Sequence, residues 1–424
     1  MEKKRCIIRW LIWSFAVLFY LYEYILRVVP SVMVGDLMSS FSVTAGQLGL
    51  LSAFYLYAYA PMQIPVGILM DRYGARRLLT FAATVCGIGS FIFGFSSILS
   101  YAAFGRLLMG TGSAFAFVGV VYICSHWFES KKLALLVGLA NSFGMVGAFC
   151  GQGPISYIVD RFGWRETSIY LGVLGFIIAF IIYLVMRNEP KRSKKEIKAD
   201  KKNELSTFQK IKVVSRNPRT WINSLIALSF YATTVAFAGL WAVPFLMKKY
   251  ELSKDVAGFG SSMIFLGWII GGPIIGHFSD KAKKRKPMLF LFALFCLGAM
   301  LGLIYFVNIP VWFVYFLLFS IGFCQSAELL CYCLAVELNP QEAKGTSIAL
   351  TNFMVFLAGS IIQPLVGYLL DLNWNGAKLN GEPLYSIHDF QIAMLIFPIT
   401  LALAAIFTLF LKEKRHHEYV ESQY

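Results

Sequence analysis

The 424-residue sequence is poor in charge: Asp, Glu, Lys and Arg make up 14% of it, against roughly 25% in a soluble globular domain. With 58% hydrophobic residues, that shortage excludes an ordinary water-soluble fold and implies an integral membrane protein. No GxxxxGK[ST] phosphate loop occurs, so energy from ATP within this chain is excluded. Histidine is scarce, five in all, and none of His126, His277, His416 or His417 has the spacing of a metal site. Eight cysteines stand singly, mostly inside apolar runs (Cys86, Cys150, Cys296, Cys324, Cys331), without a CxxC pair or a disulfide framework. No Ser-His-Asp or paired-acid pattern suggests catalysis. No cofactor is expected, and the chain is read as a non-enzyme.

What is present is apolar length. A hydrocarbon core about 30 Å thick takes about 20 apolar residues per helix, and twelve such runs occur, roughly at 7 to 33, 45 to 70, 78 to 98, 101 to 124, 133 to 158, 166 to 186, 220 to 247, 255 to 279, 287 to 307, 310 to 335, 345 to 370 and 389 to 411. The expected fold is all-α, with twelve transmembrane helices in two pseudo-symmetric six-helix bundles. The bundles are residues 1 to 187 and 220 to 424, joined by a basic linker at 188 to 219.

The net charge of +15 does not indicate nucleic acid as a partner, because the basic residues lie in short blocks between apolar runs rather than across one polar face. Arg72, Arg76 and Arg77, then Lys131 and Lys132, the 191 to 216 run, Lys281 to Lys286 and Lys412 to Arg415 all fall on one side, as the positive-inside rule requires. Both termini are expected in the cytoplasm, the protein in a bacterial inner membrane, and the chain a monomer with lipid, a small-molecule substrate and protons as its partners. Lys3, Lys4, Arg5 and Arg9 precede the first run like a signal peptide, but the run's length and its lack of a small-residue cleavage site make it a retained span.

An internal repeat joins the halves: Gly67 to Arg72 leaves span two and Gly276 to Lys281 leaves span eight, with Gly, acid and base at the same offsets. The loop Gly67-x-x-x-Asp71-Arg72-Tyr73-Gly74-Ala75-Arg76-Arg77 resembles the signature loop of the major facilitator superfamily. The resemblance covers essentially the whole chain and implies alternating access about a central site. It also implies a conformational latch made of Gly67, Asp71, Arg72, Gly74 and Arg76, with Asp280 and Lys281 in the repeat. Gly67 is expected to permit tight helix contact and the charges to hold the outward-facing state; Ala75 stands where the family usually has a base. Arg106-x-x-x-Gly110-x-Gly112 is similar to a second family motif whose buried Arg has been linked to proton coupling, although backbone carbonyls would satisfy it equally well. Gly144, Gly147, Gly151 and Gly153-Pro154 in span five partly resemble an exporter motif, and close packing alone also explains them. Tyr22-Glu23-Tyr24-x-x-Arg27, Gly239-Leu240-Trp241-x-x-Pro244-Phe245 and Glu337-Leu338-Asn339-Pro340 resemble bacterial phagosomal nutrient transporters, which implies amino acid uptake.

Charges at a helix centre cost about 2.5–3.5 kcal/mol on insertion scales, so those that occur are candidates for function. Tyr20, Glu23, Tyr24 and Arg27 follow a 3,4,7 spacing and share one face of span one, a face expected to line the cavity. Glu23 and Arg27 are either a structural ion pair or a working one, in which Arg27 attracts a substrate carboxylate and Glu23 exchanges a proton. Glu328, on a face of span ten with Gln325 and Tyr332, is either a second proton carrier or a neutral hydrogen-bonding acid. Proton coupling is thus assigned to Glu23, Glu328 and Arg106. Substrate contact is assigned to Arg27, Tyr24, Tyr59, Tyr231, Trp241, Asn352 and Gln363, with Tyr55 and Gln63 as weaker candidates. The leading expectation is proton-coupled import of a small polar metabolite, an amino acid first. The alternatives are a proton-driven exporter, an importer of nucleosides or organic anions, a membrane sensor and a lipid-modifying enzyme.

Overall fold

The computed structural model describes residues 2–186, 207–282, 284–379 and 382–412. Eleven of its helices are long and apolar enough to cross a membrane, and Val34–Phe41 with Ala45–Gln63, bent by 110°, supplies a twelfth. In chain order span one is Glu2–Val28, span two Ala45–Tyr73, span three Ala75–Phe95, span four Leu99–Trp127, span five Ser130–Phe162 and span six Trp164–Val185. Span seven is Pro218–Tyr250, span eight Lys254–Ala282, span nine Lys286–Tyr305, span ten Val311–Glu337, span eleven Lys344–Asn373 and span twelve Ile387–Phe410. The protein is an all-α membrane protein of two six-helix bundles; the only strands among the described residues are Lys378–Leu379 and Glu382–Pro383, paired between spans eleven and twelve.

Most of the expected linker, 188–206, lies outside the described residues. Its end departs from the expectation, because Thr207–Arg216 is a helix. Span seven then starts at Pro218, inside the expected linker: Asn217 Oδ1 accepts the Arg219 N–H at 3.1 Å with Pro218 in the first turn, the side-chain cap and the proline position that helix ends favour.

Three spans are broken where function gathers. Span one ends in a 3-10 turn, Val29–Val32, opened by Pro30. Span seven carries a nine-residue π-helical stretch, Thr233–Trp241, and span ten a 3-10 turn at Ser326–Glu328. In lipid every freed carbonyl needs a donor. Pro30 has no N–H to offer the Leu26 carbonyl four residues back; that carbonyl instead accepts Arg106 Nη1 at 2.7 Å.

The two halves meet along span two against span eleven and span five against span eight. Glycines set how close they come. A Cβ at Gly49 would lie 2.6 Å from the Gln363 carbonyl oxygen, and one at Gly367 2.2 Å from that of Ala45. At the other end of the same helices, Gly67, Gly276 and Gly345 have nothing within 4 Å of a built Cβ. The bundle is shut at one end and parted at the other.

Candidate functional site

The parted end opens into a cavity of about 880 Å3. Its walls include Phe117 and Val121 near the end of span four, Leu135 to Ser142 at the start of span five and Gly345 to Asn352 at the start of span eleven. Those helix ends lie beside the basic blocks, so the cavity faces the basic end of the molecule. Deeper, Tyr20 and Tyr24 of span one, Tyr59 and Gln63 of span two, Tyr231, Trp268, Glu328, Tyr332, Asn352 and Phe356 line it.

Of the substrate residues expected from sequence, the structure brings Tyr24, Tyr59, Tyr231 and Asn352 into this wall. Trp241 and Gln363 are not in it. The Trp241 indole N–H donates to the Gln363 carbonyl at 2.9 Å, and Gln363 Nε2 donates to the Val235 carbonyl at 2.8 Å. They close the bundle above the cavity; for Trp241, the π-helical stretch Thr233–Trp241 breaks the 3.6-residue register that put it on one stripe with Tyr231.

Glu23 and Arg27 also stand behind the lining rather than in it. Arg27 Nη2 donates to Glu23 Oε1, and Tyr55 Oη donates to Glu23 Oε2 at 3.3 Å. The guanidinium carbon lies 4.4 Å from the Tyr24 ring centre, 4.7 Å from Tyr59 and 4.9 Å from Phe356, within the range of cation–π attraction. Arg27 Nε and Nη1 are buried with no acceptor in the protein. A buried, unsatisfied charged donor is costly, and here two of them sit one ring-thickness from the cavity.

Arg106 has main-chain partners: besides Leu26 O, its Nη2 reaches Arg27 O and Ser52 O, both at 3.5 Å. It props the broken end of span one. Glu328 is 2% exposed, lines the cavity, and has its Oε1 without a partner. Gln325, expected beside it, points away and accepts from Thr234 Oγ1.

Of the expected latch, Gly67, Arg72, Gly74, Arg76 and Lys281 lie among the described residues. Gly67, expected to make tight contact, faces open space because the halves are apart at the basic end. Gly74 does what only glycine does easily, turning the chain from span two to span three at φ +76°. Arg76 donates to the Tyr183 carbonyl at 3.0 Å, staying within its own half. Arg72 lies over the Tyr73 ring and is exposed, as is Lys281. The side chains of Asp71 and Asp280 lie outside the described residues.

At the shut end the Asp371 carboxylate of span eleven caps the start of span two. It accepts Thr44 Oγ1 at 2.7 Å, the Gly46 N–H at 2.9 Å and the Ala45 N–H at 3.2 Å. Tyr385 Oη donates to the same carboxylate at 2.5 Å; burial, with that bond, holds its phenol above the ordinary value, so it stays a donor. Lys254 of span eight pairs with Asp36 at 3.0 Å and Asp160 at 3.3 Å from the other half. Gln152 Nε2 of span five donates to Ser31 Oγ at 2.8 Å and to the Ala238 carbonyl, tying the break in span one to the π-helical stretch of span seven. None of Asp371, Lys254 or Gln152 was a candidate on sequence grounds. The span-five glycines are packing surface: a Cβ at Gly147 would meet the Leu21 carbonyl oxygen at 2.2 Å.

This arrangement, a central cavity between two six-helix halves and open at one end, coincides with a family match over almost the entire chain: residues 12–363 and 240–423 fit the Major Facilitator Superfamily. The chain belongs to that superfamily. It is a transport protein. Among its relatives, the uncharacterized transporter YybO of Bacillus subtilis is 27% identical, with 86% of this chain and 88% of that one aligned. The hexuronate transporter of Bacillus subtilis is 23% identical over 89% and 92% of the two chains, and the probable galactarate/D-glucarate transporter GudP of the same organism 24% identical over 88% and 89%. In fold, the chain is similar to the crystal structure of a bacterial homolog of the human lysosomal transporter Spinster, inward-facing and unoccupied, with a TM-score of 0.78, 17% identity and 95% and 97% coverage. These bacterial relatives and the span count make this a multi-pass bacterial membrane transporter of a small polar or charged metabolite.

Proposed function

We propose that the protein imports a small organic anion of the sugar-acid class, carried with protons by alternating access. The observation that carries this reading is Arg27, whose Nε and Nη1 are buried without an acceptor behind the aromatic wall of the cavity. A carboxylate oxygen accepts a charge-assisted hydrogen bond from either of these guanidinium donors. It gains access as Tyr24 and Tyr59 turn aside, and the same rings then exclude water. Relatives named as hexuronate and galactarate/D-glucarate transporters support an acidic sugar over the amino acid first expected.

Glu23 is the proposed proton carrier. An anion competing for Arg27 releases Glu23 Oε1 from the guanidinium, and the freed carboxylate takes up a proton within the same event. The basic end of the bundle is taken as cytoplasmic from the density of Lys and Arg there, which makes the conformation described here inward-facing. A second reading, an α-amino acid, rests on Glu328, an acid in the cavity wall suited to an ammonium group. Uptake into vesicles with an imposed proton gradient, comparing labelled galacturonate, gluconate and amino acids, tests both. Gradient-driven accumulation of a sugar acid is the expected result; accumulation of amino acids alone overturns it in favour of the second reading.

A further inference from the structure

The cavity places unsatisfied polar groups of opposite kind on its two sides. On the first half they are donors: Gln63 Nε2 in the wall, and Arg27 Nε and Nη1 behind it. On the second half the unsatisfied group in the wall is an acceptor, Glu328 Oε1. No Lys, Arg or His among the described residues pairs with Glu328. Of the nearby side chains, Tyr332 Oη donates to Asn352 Oδ1 at 3.0 Å, and the Trp268 indole N–H to Thr234 Oγ1 at 2.9 Å. The carboxylate is held in place by the break in span ten, which puts it at the end of the 3-10 turn Ser326–Glu328.

We infer that Glu328 sets substrate specificity by charge: the transporter accepts acids with one anionic end and a donor-bearing remainder, hydroxyls or an ammonium, and rejects those with a second carboxylate. The inference rests on the reading of Arg27 as the anion site. A ligand whose carboxylate engages Arg27 presents its far end to the second half, where hydroxyl or ammonium donors meet Glu328 Oε1. A second carboxylate in that place brings no donor to Glu328 Oε1 and sets two carboxyl groups face to face, of which only one ionises readily, and such a juxtaposition excludes a wrong ligand.

The test uses the purified full-length protein and ligand-dependent thermal stabilisation, which reads binding by mass action. Matched pairs differ by one carboxylate: galacturonate and galactarate, gluconate and glucarate, glutamine and glutamate. In whichever pair binds, the monocarboxylate is expected to act at more than about tenfold lower concentration, and Glu328→Gln is expected to narrow that ratio by about tenfold. Equal or tighter binding of the dicarboxylate by the unaltered protein overturns the inference, and needs no variant to fold. So does a ratio unchanged in Glu328→Gln. If no acid of any pair binds, the anion reading of Arg27 fails and takes this inference with it; if both members of a pair bind alike, only the role of Glu328 fails.

Discussion

Replacing Asp371 with Asn should loosen the shut end of the bundle without touching the cavity. The carboxylate accepts three hydrogen bonds from the first turn of span two, so it acts as a charged N-terminal cap supplied by the other half of the molecule. Losing such a cap costs about 1 kcal/mol, and losing a negative charge at a helix N-terminus about another 0.3–1 kcal/mol. The asparagine keeps the volume but turns one acceptor into a donor aimed at N–H groups. The total, about 1.5–2 kcal/mol, applies only to the conformation in which spans two and eleven touch at this end, so it shifts the inward-to-outward ratio by roughly ten- to thirtyfold. The reporter is Ser262→Cys, at the buried meeting of spans five and eight; its hydroxyl bonds only within its own helix, to the Phe259 carbonyl. A membrane-impermeant thiol reagent added outside intact cells should label it faster in Asp371→Asn by that factor, after subtraction of the chain lacking the introduced cysteine. Equal labelling rates in two well-expressed, correctly folded proteins would refute the cap as a gate.

Arg27→Ala should weaken anion binding by about 1.5–3 kcal/mol, the range for a hydrogen bond to a charged group, measured by ligand titration, while Glu23→Gln should abolish proton-driven accumulation but preserve substrate exchange; accumulation persisting in Glu23→Gln moves the carrier role elsewhere. Arg106→Leu should lower the melting temperature by orphaning the Leu26 carbonyl, at about 1–3 kcal/mol, and Pro30→Ala in the same chain should restore part of it by returning a backbone N–H; no rescue would mean that Arg106 matters for another reason. Gly147→Val should fail to yield folded protein, since its Cβ meets the Leu21 carbonyl oxygen, whereas Gly67→Ala should leave the melting temperature unchanged, because its Cβ enters open space.

Span count and the two halves were legible because lipid imposes length rules that a single sequence must obey. Cavity residues were legible where a span is regular: Tyr24 and Tyr59 lie on helical stripes in continuous helices, and Glu328 stood out as a charge in an apolar run. Trp241 was misplaced because a π-helical stretch shifts the angular phase, and nothing in Thr233–Trp241 announces it; Gln363 was misplaced in depth along span eleven, where it meets span seven at the shut end. Arg27 was placed one layer too far forward, since periodicity gives a face but not a depth. Phe356 and Trp268 were lost among many aromatics. Asp371 looked like an ordinary acid at a span end; its partners, Thr44 to Gly46, lie more than three hundred residues away in the chain, and only the folded pairing of spans two and eleven brings them together.

Away from span ends, the buried charges among the described residues are Glu23, Glu328, Arg27 and Arg106, two of each sign. Whatever charge these groups carry, the carrier returns to its starting state in each cycle and moves no net charge of its own across the membrane. Voltage then acts on the cargo alone. A lone monoanion moving inward works against an inside-negative potential at about 2.3 kcal/mol per 100 mV, one proton travelling with it cancels that cost, and a second makes the potential a driving force. Current recorded during uptake therefore counts protons per anion directly.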